Sequence, residues 1–490
     1  MHTFIWGMDS LLVAPVIGKL HDHGVLSVRK WFINVSERNN AFFSQRRDIE
    51  TEIIEDKFEL DFNLQDMEPI PPWLDEKIRP YFPMILQNFT RETFYYRSPV
   101  YEYMNIAQMW AHYFYTILVR NRIDLVIFSD IPHGGFILTT YFVAKALNIP
   151  TLILIPSGIL GNFGYCFSLA DYGSFQNSPT YRRLPQDFMK VEKGYKKDLY
   201  YMKGKYAPKH LRSLGDRLKI LRAPGAFLQE RKNVFKRSLQ KYSSFNEFLS
   251  KRIFVKIADF VEKKQYQKGV KRYTEKSVDF DLNYVYFPLH LQPEMTTDTL
   301  GGIYSDQLLA LEKLRAMLPA DWMIYVKENP KQTKFMRQDY FFKRLKLISN
   351  VKYVDRSIDT YRLMSRARFV STITGTAGWE AISGGKNVLI FGSTWYEVFP
   401  GVFKYHANLN LEEILSYEID HDELEQAVNR YLEKTTEGIF LDIDKEVLSD
   451  FDPAENEVKL EKFFRFIIPY IEENMMAMKS GKKQEGGNIQ

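Results

Sequence analysis

Short apolar runs alternate with helix-length segments along this chain, and this alternation limits its fold more than any other feature. Ile123–Phe128 has the character of a buried strand, Phe136–Leu147 that of a helix and Thr151–Ile155 that of the next strand. Two earlier strands are predicted at His2–Gly7 and Val28–Asn34. Strands that are apolar throughout are typical of parallel sheets covered by helices on both faces. The N-terminal part of the chain therefore predicts a βαβ unit within a parallel sheet.

The C-terminal half repeats this alternation. Its predicted strands are Tyr284–Pro288, Trp322–Lys327, Val351–Val354, Phe369–Ile373 and Val388–Phe391. The predicted helices among them are Ser305–Leu318, Asp359–Ala367 and Thr376–Gly385. Because a single core stops growing at roughly 250–300 residues, a chain of 490 residues is expected to contain more than one domain. We predict an α/β fold with two Rossmann-like domains that face a central cleft.

A basic segment separates the two halves. Residues 181–276 contain 27 Lys and Arg against 9 Asp and Glu, a net charge of +18, whereas the whole chain has +5. Part of this segment has apolar residues at every third or fourth position, which predicts helix. Such a concentration of positive charge indicates an anionic partner. Anionic lipid headgroups, a diphosphate-linked lipid acceptor and an acidic glycan all fit, as does an ordinary solvated helical surface without a partner.

These features divide the chain into five parts. They are an N-terminal Rossmann-like domain (1–180), a basic helical insertion (181–276), a C-terminal Rossmann-like domain (277–435), a helical segment (436–476) and a disordered tail (477–490). Within the fourth part, Glu457–Asn474 is predicted to be a helix that is kinked or broken near Pro469, because proline cannot donate the helical hydrogen bond.

The sequence argues against several functional classes. No G-x-G-x-x-G follows the first predicted strand and no P-loop is present, which argues against a nicotinamide enzyme and a P-loop kinase. We find no nucleic-acid-binding motif and no HExxH or CxxC cluster, so neither a nucleic acid nor a metal cofactor is predicted. The single cysteine, Cys166, fits a reducing cytoplasm. No signal peptide is recognised, and no stretch approaches the ~20 apolar residues that cross a bilayer.

The segment from Thr372 to Val388 has the clearest chemical signal. A predicted strand ends here in a turn rich in Gly and Thr, and the turn opens a helix. N–H groups at the start of a helix bind phosphate, and small residues let an anion approach the backbone. Thr374 and Thr376 add hydroxyl donors, and Glu380, one turn into the helix, is placed to accept hydrogen bonds from ribose hydroxyls. The alternative is a structural helix with Thr376 as its cap.

Two further segments lie at predicted strand ends of the C-terminal domain. Lys327 follows a strand, where its charge could neutralise a diphosphate, although a charged surface turn would have the same sequence. His290, Gln292 and Glu294 alternate after the first strand of the domain, which places them on one side of an extended segment. Glu294 is a candidate nucleophile, base or acceptor ligand, and its alternative role is structural.

Three runs, FPLHLQPEMTT, YVKENP and TITGTAGWEAISGGKNVLIFGSTWY, resemble in this order the capsule polysaccharide biosynthesis family. They lie between Asn283 and Tyr396, about a quarter of the chain. A looser similarity to the first domain of the family covers IFSDIPHGGFILTTYFVAKALNIPTLIL. The chain departs from the family patterns at Asn387, where relatives have Pro, and at Asn329, where they have His.

The resemblance implies a GT-B-like glycosyltransferase, a class that generally needs no metal. Family members include transferases that move Kdo from a CMP-activated donor to lipid-linked acceptors. The candidate donor-binding residues are Lys327, Asn329, Thr374, Gly375, Thr376, Ala377, Gly378, Glu380, His290 and Gln292. The family's His would contact the donor phosphate, whereas Asn329 donates only a neutral hydrogen bond. The donor or the level of activity therefore differs, or His290 takes over this role.

On the acceptor side, His133 lies in a Pro-His-Gly-Gly turn after a predicted strand. Imidazole titrates near neutral pH, so His133 is a candidate base for an acceptor hydroxyl, with Asp130 orienting it or acting as the base itself. The alternative for His133 is a helix-start residue bonded to the backbone. Together with Glu294, these two residues form the predicted catalytic set.

Together with the two-domain pattern and the basic segment, this resemblance implies a cytoplasmic glycosyltransferase of bacterial capsule or lipopolysaccharide synthesis, peripheral at the inner membrane. We expect its donor to be a nucleotide sugar, with a CMP-activated ulosonic acid as the first candidate, and its acceptor to be a saccharide or a lipid-linked saccharide. The alternatives are a nucleotide-sugar epimerase or a polyol-phosphate transferase of the same architecture, and a non-catalytic capsule assembly or export factor.

Overall fold

The computed structural model describes residues 1–34, 41–53, 64–92, 100–159, 161–185, 188–195, 245–334, 336–441, 448 and 451–479. These residues form two seven-stranded sheets. Residues 186–187 and 196–244 of the predicted basic segment, and residues 480–490 of the predicted tail, lie outside the described part of the chain. Among the described helices, none combines the length and the apolar character needed to cross a membrane.

The N-terminal sheet is built on parallel strands. Strands β1–β6 are His2–Trp6, Ser27–Ile33, Thr51–Ile53, Leu125–Phe128, Thr151–Pro156 and Asn162–Cys166, and a late strand, β14, is Thr436–Glu437. The order is β14-β6-β5-β4-β1-β2-β3, with β6 antiparallel to both of its neighbours and β1–β5 parallel. The parallel part has the 3-2-1-4-5 order of a Rossmann fold.

The C-terminal sheet is parallel throughout. Strands β7–β13 are Thr274–Glu275, Tyr284–Pro288, Met323–Lys327, Val351–Val354, Phe369–Thr372, Val388–Ile390 and Val402–Lys404. Their order is β13-β12-β11-β8-β9-β10-β7. Counted from β8, this is the complete 3-2-1-4-5-6 Rossmann order. The prediction of an α/β fold with two Rossmann-like domains is therefore confirmed.

Helices cover both faces of the sheets. Helices α1–α15 are Ala14–Asp22, Ala41–Gln45, Pro72–Ile78, Phe82–Glu92, Val100–Arg120, Gly135–Ala146, Phe245–Tyr273, Met295–Leu300, Gln307–Met317, Asp339–Leu347, Thr360–Arg366, Ala377–Ser383, Leu411–Ser416, His421–Glu433 and Pro453–Lys479. Successive residues of β4 alternate between the two layers that result. Val126 and Phe128 belong to the same apolar cluster as Trp110, whereas Leu125 and Ile127 belong to the cluster on the other face.

The last helix, α15, returns to the N-terminal sheet. The ring of Phe463 lies 5.1 Å from the rings of Phe163 and Tyr165 in β6, measured between centroids. The helix is continuous through Pro469, so the predicted break does not occur. Proline removes one helical hydrogen bond, but apolar residues on both sides of it, such as Phe464 and Ile471, are buried. Their burial offsets the lost bond.

The two domains meet through close apolar contacts. Gly158, in the turn after β5, approaches Trp395 of the C-terminal domain so closely that a Cβ at this position would lie 2.3 Å from the indole ring. The centroid of Trp395 is 5.4 Å from that of Tyr431, which is in turn 5.5 Å from Phe175. Glycine is therefore required at position 158 because the domains approach each other closely there.

Candidate active site

The candidate site lies at the carboxyl ends of β8 and β11, where the strand order of the C-terminal sheet reverses. Ligands of doubly wound sheets bind at such a reversal point. Residues 289–293 follow β8, and a turn at residues 373–376 follows β11. Both segments were predicted to bind the donor, and the structure brings them into contact through one side chain, that of His290.

His290 joins the two segments by hydrogen bonds. Its Nε2 accepts from the N–H groups of Ile373 (3.1 Å) and Thr374 (3.4 Å) and lies 2.9 Å from Thr372 Oγ1. Because Nε2 accepts from backbone N–H groups, the ring is neutral, with its proton on Nδ1. Burial, and then the nearby charge of Arg337, lowers the pKa of His290 to about 3. At neutral pH the ring therefore supplies neither a positive charge nor an acidic proton, and it positions the turn instead.

Replacing His290 by asparagine is expected to flatten the pH dependence of stability. Between pH 6.5, the ordinary pKa, and about 3, the unfolded chain binds a proton at this ring and the folded protein does not. His290 therefore contributes stability that is complete above that ordinary pKa and is lost as the pH falls, by up to about 1.4 kcal/mol per pH unit. Urea unfolding between about pH 7 and pH 5 measures this slope. The exposed His406→Asn should keep the wild-type slope, whereas equal slopes for wild type and His290→Asn would contradict the prediction.

The turn after β11 is partly satisfied by internal hydrogen bonds. In addition to the N–H groups bonded to His290, the N–H of Gly375 donates to Thr372 Oγ1 at 3.2 Å. An anion at this turn would therefore contact the N–H groups that follow, at the start of α12. The hydroxyl of Thr374 is buried and has no hydrogen-bond partner among the described residues. It is thus a donor that a bound ligand would satisfy.

Tyr396 packs against the same turn. Its hydroxyl donates to the carbonyl oxygen of Gly375. A Cβ at position 378 would lie 2.2 Å from that hydroxyl oxygen, and a Cβ at position 375 would lie 2.9 Å from the ring of His290. The packing of the protein itself therefore requires glycine at positions 375 and 378. The sequence had predicted small residues here for a different reason, namely that they let an anion approach the backbone.

Glu380 lies in the first turn of α12 and is 8% exposed. Burial, followed by the charge of Glu380, raises the pKa of Tyr286 and of Tyr361. The carboxylate therefore lies near β8 and α11, beside the reversal point of the sheet. A carboxylate in these surroundings is suited to accept hydrogen bonds from hydroxyl groups of a ligand.

Lys327 and Asn329 make local contacts at the end of β9. The ammonium of Lys327 donates to the carbonyl oxygen of Ile358 (2.5 Å) and to Thr360 Oγ1 (2.7 Å), at the start of α11. Burial lowers the pKa of Lys327. Asn329 Oδ1 accepts from the N–H of Lys331 at 2.9 Å. Both side chains shape the loop after β9, and the third N–H of the Lys327 ammonium is the one suited to a phosphate.

A buried ion pair supports the segment after β8. Arg337 Nε donates to Glu328 Oε2 at 2.9 Å, and the two side chains are 1% and 0% exposed. The guanidinium also donates to the carbonyl oxygen of His290 (3.1 Å) and to Gln292 Oε1 (3.1 Å). Gln292, predicted to contact the donor, thus belongs to a buried network. Sequence reasoning missed the pair because Arg337 lies outside every motif and Glu328 has the character of a charged turn residue.

Glu294 caps α8. Its Oε2 accepts from the N–H groups of Thr296 (3.1 Å) and Thr297 (3.3 Å). A carboxylate at this position satisfies N–H groups at the helix start and interacts favourably with the helix dipole. This arrangement is the structural role that the sequence left open for Glu294. Oε2 is therefore held at the helix start by these bonds.

His133 and Asp130 lie in the turn after β4, at the reversal point of the N-terminal sheet. The Nδ1–H of His133 donates to the carbonyl oxygen of Ile131 at 2.7 Å, which makes Nε2 the nitrogen able to accept a proton. Asp130 Oδ1 accepts from the N–H of Ile131, also at 2.7 Å. The backbone of one residue therefore orients both side chains.

The turn that carries His133 meets the C-terminal domain at α8. Thr299 Oγ1 donates to the carbonyl oxygen of Pro132 at 3.2 Å. Helix α8 also lies next to the turn after β11, and Gly392 contacts both. A Cβ at position 392 would be 2.6 Å from the carbonyl oxygen of Leu300, the last residue of α8, and 2.7 Å from Cγ2 of Thr374 in the turn. The predicted acceptor turn and the predicted donor turn are thus brought to one short helix, capped by Glu294.

Residues 220–432, a little under half of the chain, match the family model described as capsule polysaccharide biosynthesis protein. This part of the chain is similar to that family. The match includes all three runs between residues 283 and 396 that carry the sequence resemblance. The resemblance is therefore confirmed. No curated protein matches the chain.

Similar solved structures share little sequence with this chain. Thermosulfurimonas dismutans KpsC, beta Kdo 2,7 transferase, is 17% identical with a TM-score of 0.25, and the match covers 41% of this chain and 62% of that one. The chain thus spans less than two thirds of that protein. UDP-GlcNAc 2-epimerase from Methanocaldococcus jannaschii is 11% identical with a TM-score of 0.24, and the match covers 88% of this chain and 98% of that one. The fold assignment therefore rests on the strand order and not on these similarities.

Proposed function

We propose that this protein is a glycosyltransferase of bacterial capsule or lipopolysaccharide synthesis. It moves a sugar from a nucleotide donor to a saccharide or lipid-linked acceptor in the cytoplasm, at the inner membrane. The family match over residues 220–432 supports the pathway. The observation that carries the proposal of transfer is the pairing of two sheet reversal points through α8. In this proposal the C-terminal reversal point holds the donor and the N-terminal one the acceptor.

The turn after β11 is the proposed site of the donor phosphate. The hydroxyl of Thr374, the N–H groups at the start of α12 and the ammonium of Lys327 are the proposed hydrogen-bond donors. Their role is to stabilise the negative charge that develops on the nucleotide as it leaves. Glu380, in the first turn of α12, accepts hydrogen bonds from ribose hydroxyls.

His133 is the proposed base for the acceptor. Its Nε2 removes the proton from an acceptor hydroxyl as the oxygen of that hydroxyl forms a bond to the anomeric carbon. At the same time the bond between the anomeric carbon and the donor phosphate breaks. Asp130 is held by the same turn and supports the position of His133. Glu294, as the cap of α8, positions the helix between the two sites instead of attacking the sugar.

A panel of nucleotides tests the donor site. We expect CMP compounds to raise the melting temperature, since a ligand at about 100 times its Kd adds about 2.7 kcal/mol of stability. UDP, GDP and CDP compounds complete the panel. Glu380→Ala should lose the shift, because it removes the proposed ribose acceptor. The matched control is Glu412→Ala, which changes an exposed glutamate in the first turn of α13 and should keep the shift.

Each other result has a defined meaning. A shift with UDP or GDP compounds alone would keep the transferase and change its donor. Conversion of a nucleotide sugar without any acceptor would identify an epimerase, and transfer of a polyol phosphate would identify a polyol-phosphate transferase. The absence of a shift with every nucleotide would contradict the proposal and favour a non-catalytic role in capsule assembly or export.

A further inference from the structure

Helix α7 has two different sides, and one of them is fixed to the C-terminal domain. The hydroxyl of Tyr266 accepts a hydrogen bond from Arg356 at 2.7 Å. The ring of Tyr273 stacks on Phe342, with centroids 5.5 Å apart and an interplanar angle of 4°. These contacts hold the C-terminal half of α7 against the edge of the sheet.

The opposite side of α7 is apolar and exposed. Ile257, Phe260 and Val261 are 58%, 61% and 45% exposed. Residues three and four positions apart share one helix face, so these three side chains form a single surface, which we call the α7 patch. With 3.6 residues per turn, Tyr266 and Tyr273 lie on the opposite side of the helix. The contacts that fix α7 therefore leave the α7 patch facing outward.

Lysines lie on the same face of α7, directly after the α7 patch in the sequence. Lys264, Lys268 and Lys271 are exposed, and the ammonium of Lys264 lies 5.6 Å from the ring centroid of Phe260. Residues 257–273 contain five Lys and Arg against two Asp and Glu. A short apolar patch followed on the same face by lysines can contact an anionic membrane through both apolar groups and charge.

Positive charge alone is compatible with an acidic glycan and with anionic lipid, and the apolar side chains distinguish between these two partners. A soluble acidic glycan would account for the lysines, but it has no extended apolar surface to cover Ile257 and Phe260 together. The surface of an anionic bilayer satisfies both, because acyl chains take up the apolar groups while lipid phosphates attract the lysines. The combination therefore favours lipid.

We propose that the α7 patch docks this protein on an anionic lipid bilayer. Ile257, Phe260 and Val261 insert at the level of the headgroups, and Lys264 and the lysines that follow it lie beside lipid phosphates. The contact is independent of the transferase chemistry, because α7 lies at the β7–β10 edge of the C-terminal sheet and not at the reversal point. It would keep the enzyme near a lipid-linked acceptor.

Vesicle sedimentation with the full-length protein tests this contact. Phosphatidylcholine vesicles with and without phosphatidylglycerol are the probes. We expect binding only to the anionic vesicles, and the double variant Ile257→Glu with Phe260→Glu should lower the partition coefficient at least about tenfold. Lys264→Glu with Lys268→Glu should have an effect of similar size, about tenfold, because each lysine near the surface contributes. The control is Leu347→Glu, an apolar residue of α10 that is 85% exposed, which should bind as wild type does.

Three results would overturn the proposal. The first is equal binding of wild type and the Ile257/Phe260 variant, and the second is equal binding to neutral and anionic vesicles. The third is loss of self-association in that variant, measured by sedimentation velocity without lipid, because the α7 patch would then be an interface between two copies of the chain. Melting temperatures check that the variants fold, and Phe260→Ser provides a milder change at the centre of the patch.

Discussion

Replacing Arg337 by alanine is expected to destabilise the protein by about 3–5 kcal/mol, because the carboxylate of Glu328 then stays buried without its ionic partner. The two side chains are 1% and 0% exposed, so water has no access to replace the guanidinium. The same change removes hydrogen bonds to the carbonyl oxygen of His290 and to Gln292. Urea unfolding of the wild-type and variant proteins measures the difference.

Arg120 provides the matched control for Arg337. It pairs with Glu68 at 3.0 Å, but its side chain is 48% exposed and that of Glu68 is 45% exposed. Such pairs contribute about 0–1 kcal/mol, so Arg120→Ala should have a small effect. Removing both charges, in Arg337→Met with Glu328→Gln, should recover part of the loss. A loss below about 1 kcal/mol in Arg337→Ala, the range of an exposed pair, would contradict the role given to the buried pair.

The central strands of this fold were predictable because a strand buried on both faces is a continuous apolar run, whereas β3, β6, β7, β13 and β14 were not predicted. β8 and β10 have the predicted bounds, and β9 begins one residue later than predicted, at Met323. The order of the strands in the sheet follows from their connections and is not written in any single segment. The contact between His290 and Thr372 could not be predicted from a single segment, because it joins residues 82 positions apart. Only the parallel arrangement of β8 beside β11 brings them together.

The contacts of individual side chains were harder to predict than the positions of the turns that carry them. The Gly- and Thr-rich turn was recognised from local sequence, and it does lie at the reversal point of the sheet. The state of His290 depends on burial, which sequence spacing does not encode, and burial excludes the cationic role that was considered for it. A structural role for Glu294 was already among the sequence alternatives, without its being identified as a helix cap. Choosing between the structural and the chemical role of Glu294 required the backbone geometry at the start of α8.

The neutral state of His290 bears on what the replacement of the family's histidine by Asn329 does to the proposed donor site. The family's histidine at this position has no cationic substitute at position 290, so any positive charge near the donor phosphate must come from elsewhere. Lys327 is two residues away and carries an ammonium with one N–H beyond its two described bonds. In the proposed mechanism, Lys327 and the helix start of α12 therefore carry the stabilisation of the leaving phosphate.

Replacing His133 by alanine is expected to lower kcat by about 10²–10⁴-fold, the usual contribution of a general base. Its Nδ1–H is held by Ile131 O at 2.7 Å, so Nε2 is oriented to take a proton. The proposed donor site lies on the other domain, so the thermal shift produced by the donor should be unchanged in the variant. Turnover with the donor found in the nucleotide panel, together with that shift, separates loss of catalysis from loss of binding.

Asp130 provides the test that could move the role of base away from His133. If the histidine is the base, Asp130→Asn should reduce kcat less than His133→Ala, because asparagine still accepts the hydrogen bond from the N–H of Ile131. If Asp130 is the base, the order of the two effects reverses. The kcat of His133→Ala is then less than about tenfold below that of wild type, and the kcat of Asp130→Asn is lower by about 10²-fold or more. The exposed His406→Ala controls for the loss of an imidazole far from the turn. Equal, small effects of both turn variants would mean that neither residue takes the acceptor proton, and that the reversal point of the N-terminal sheet has no base.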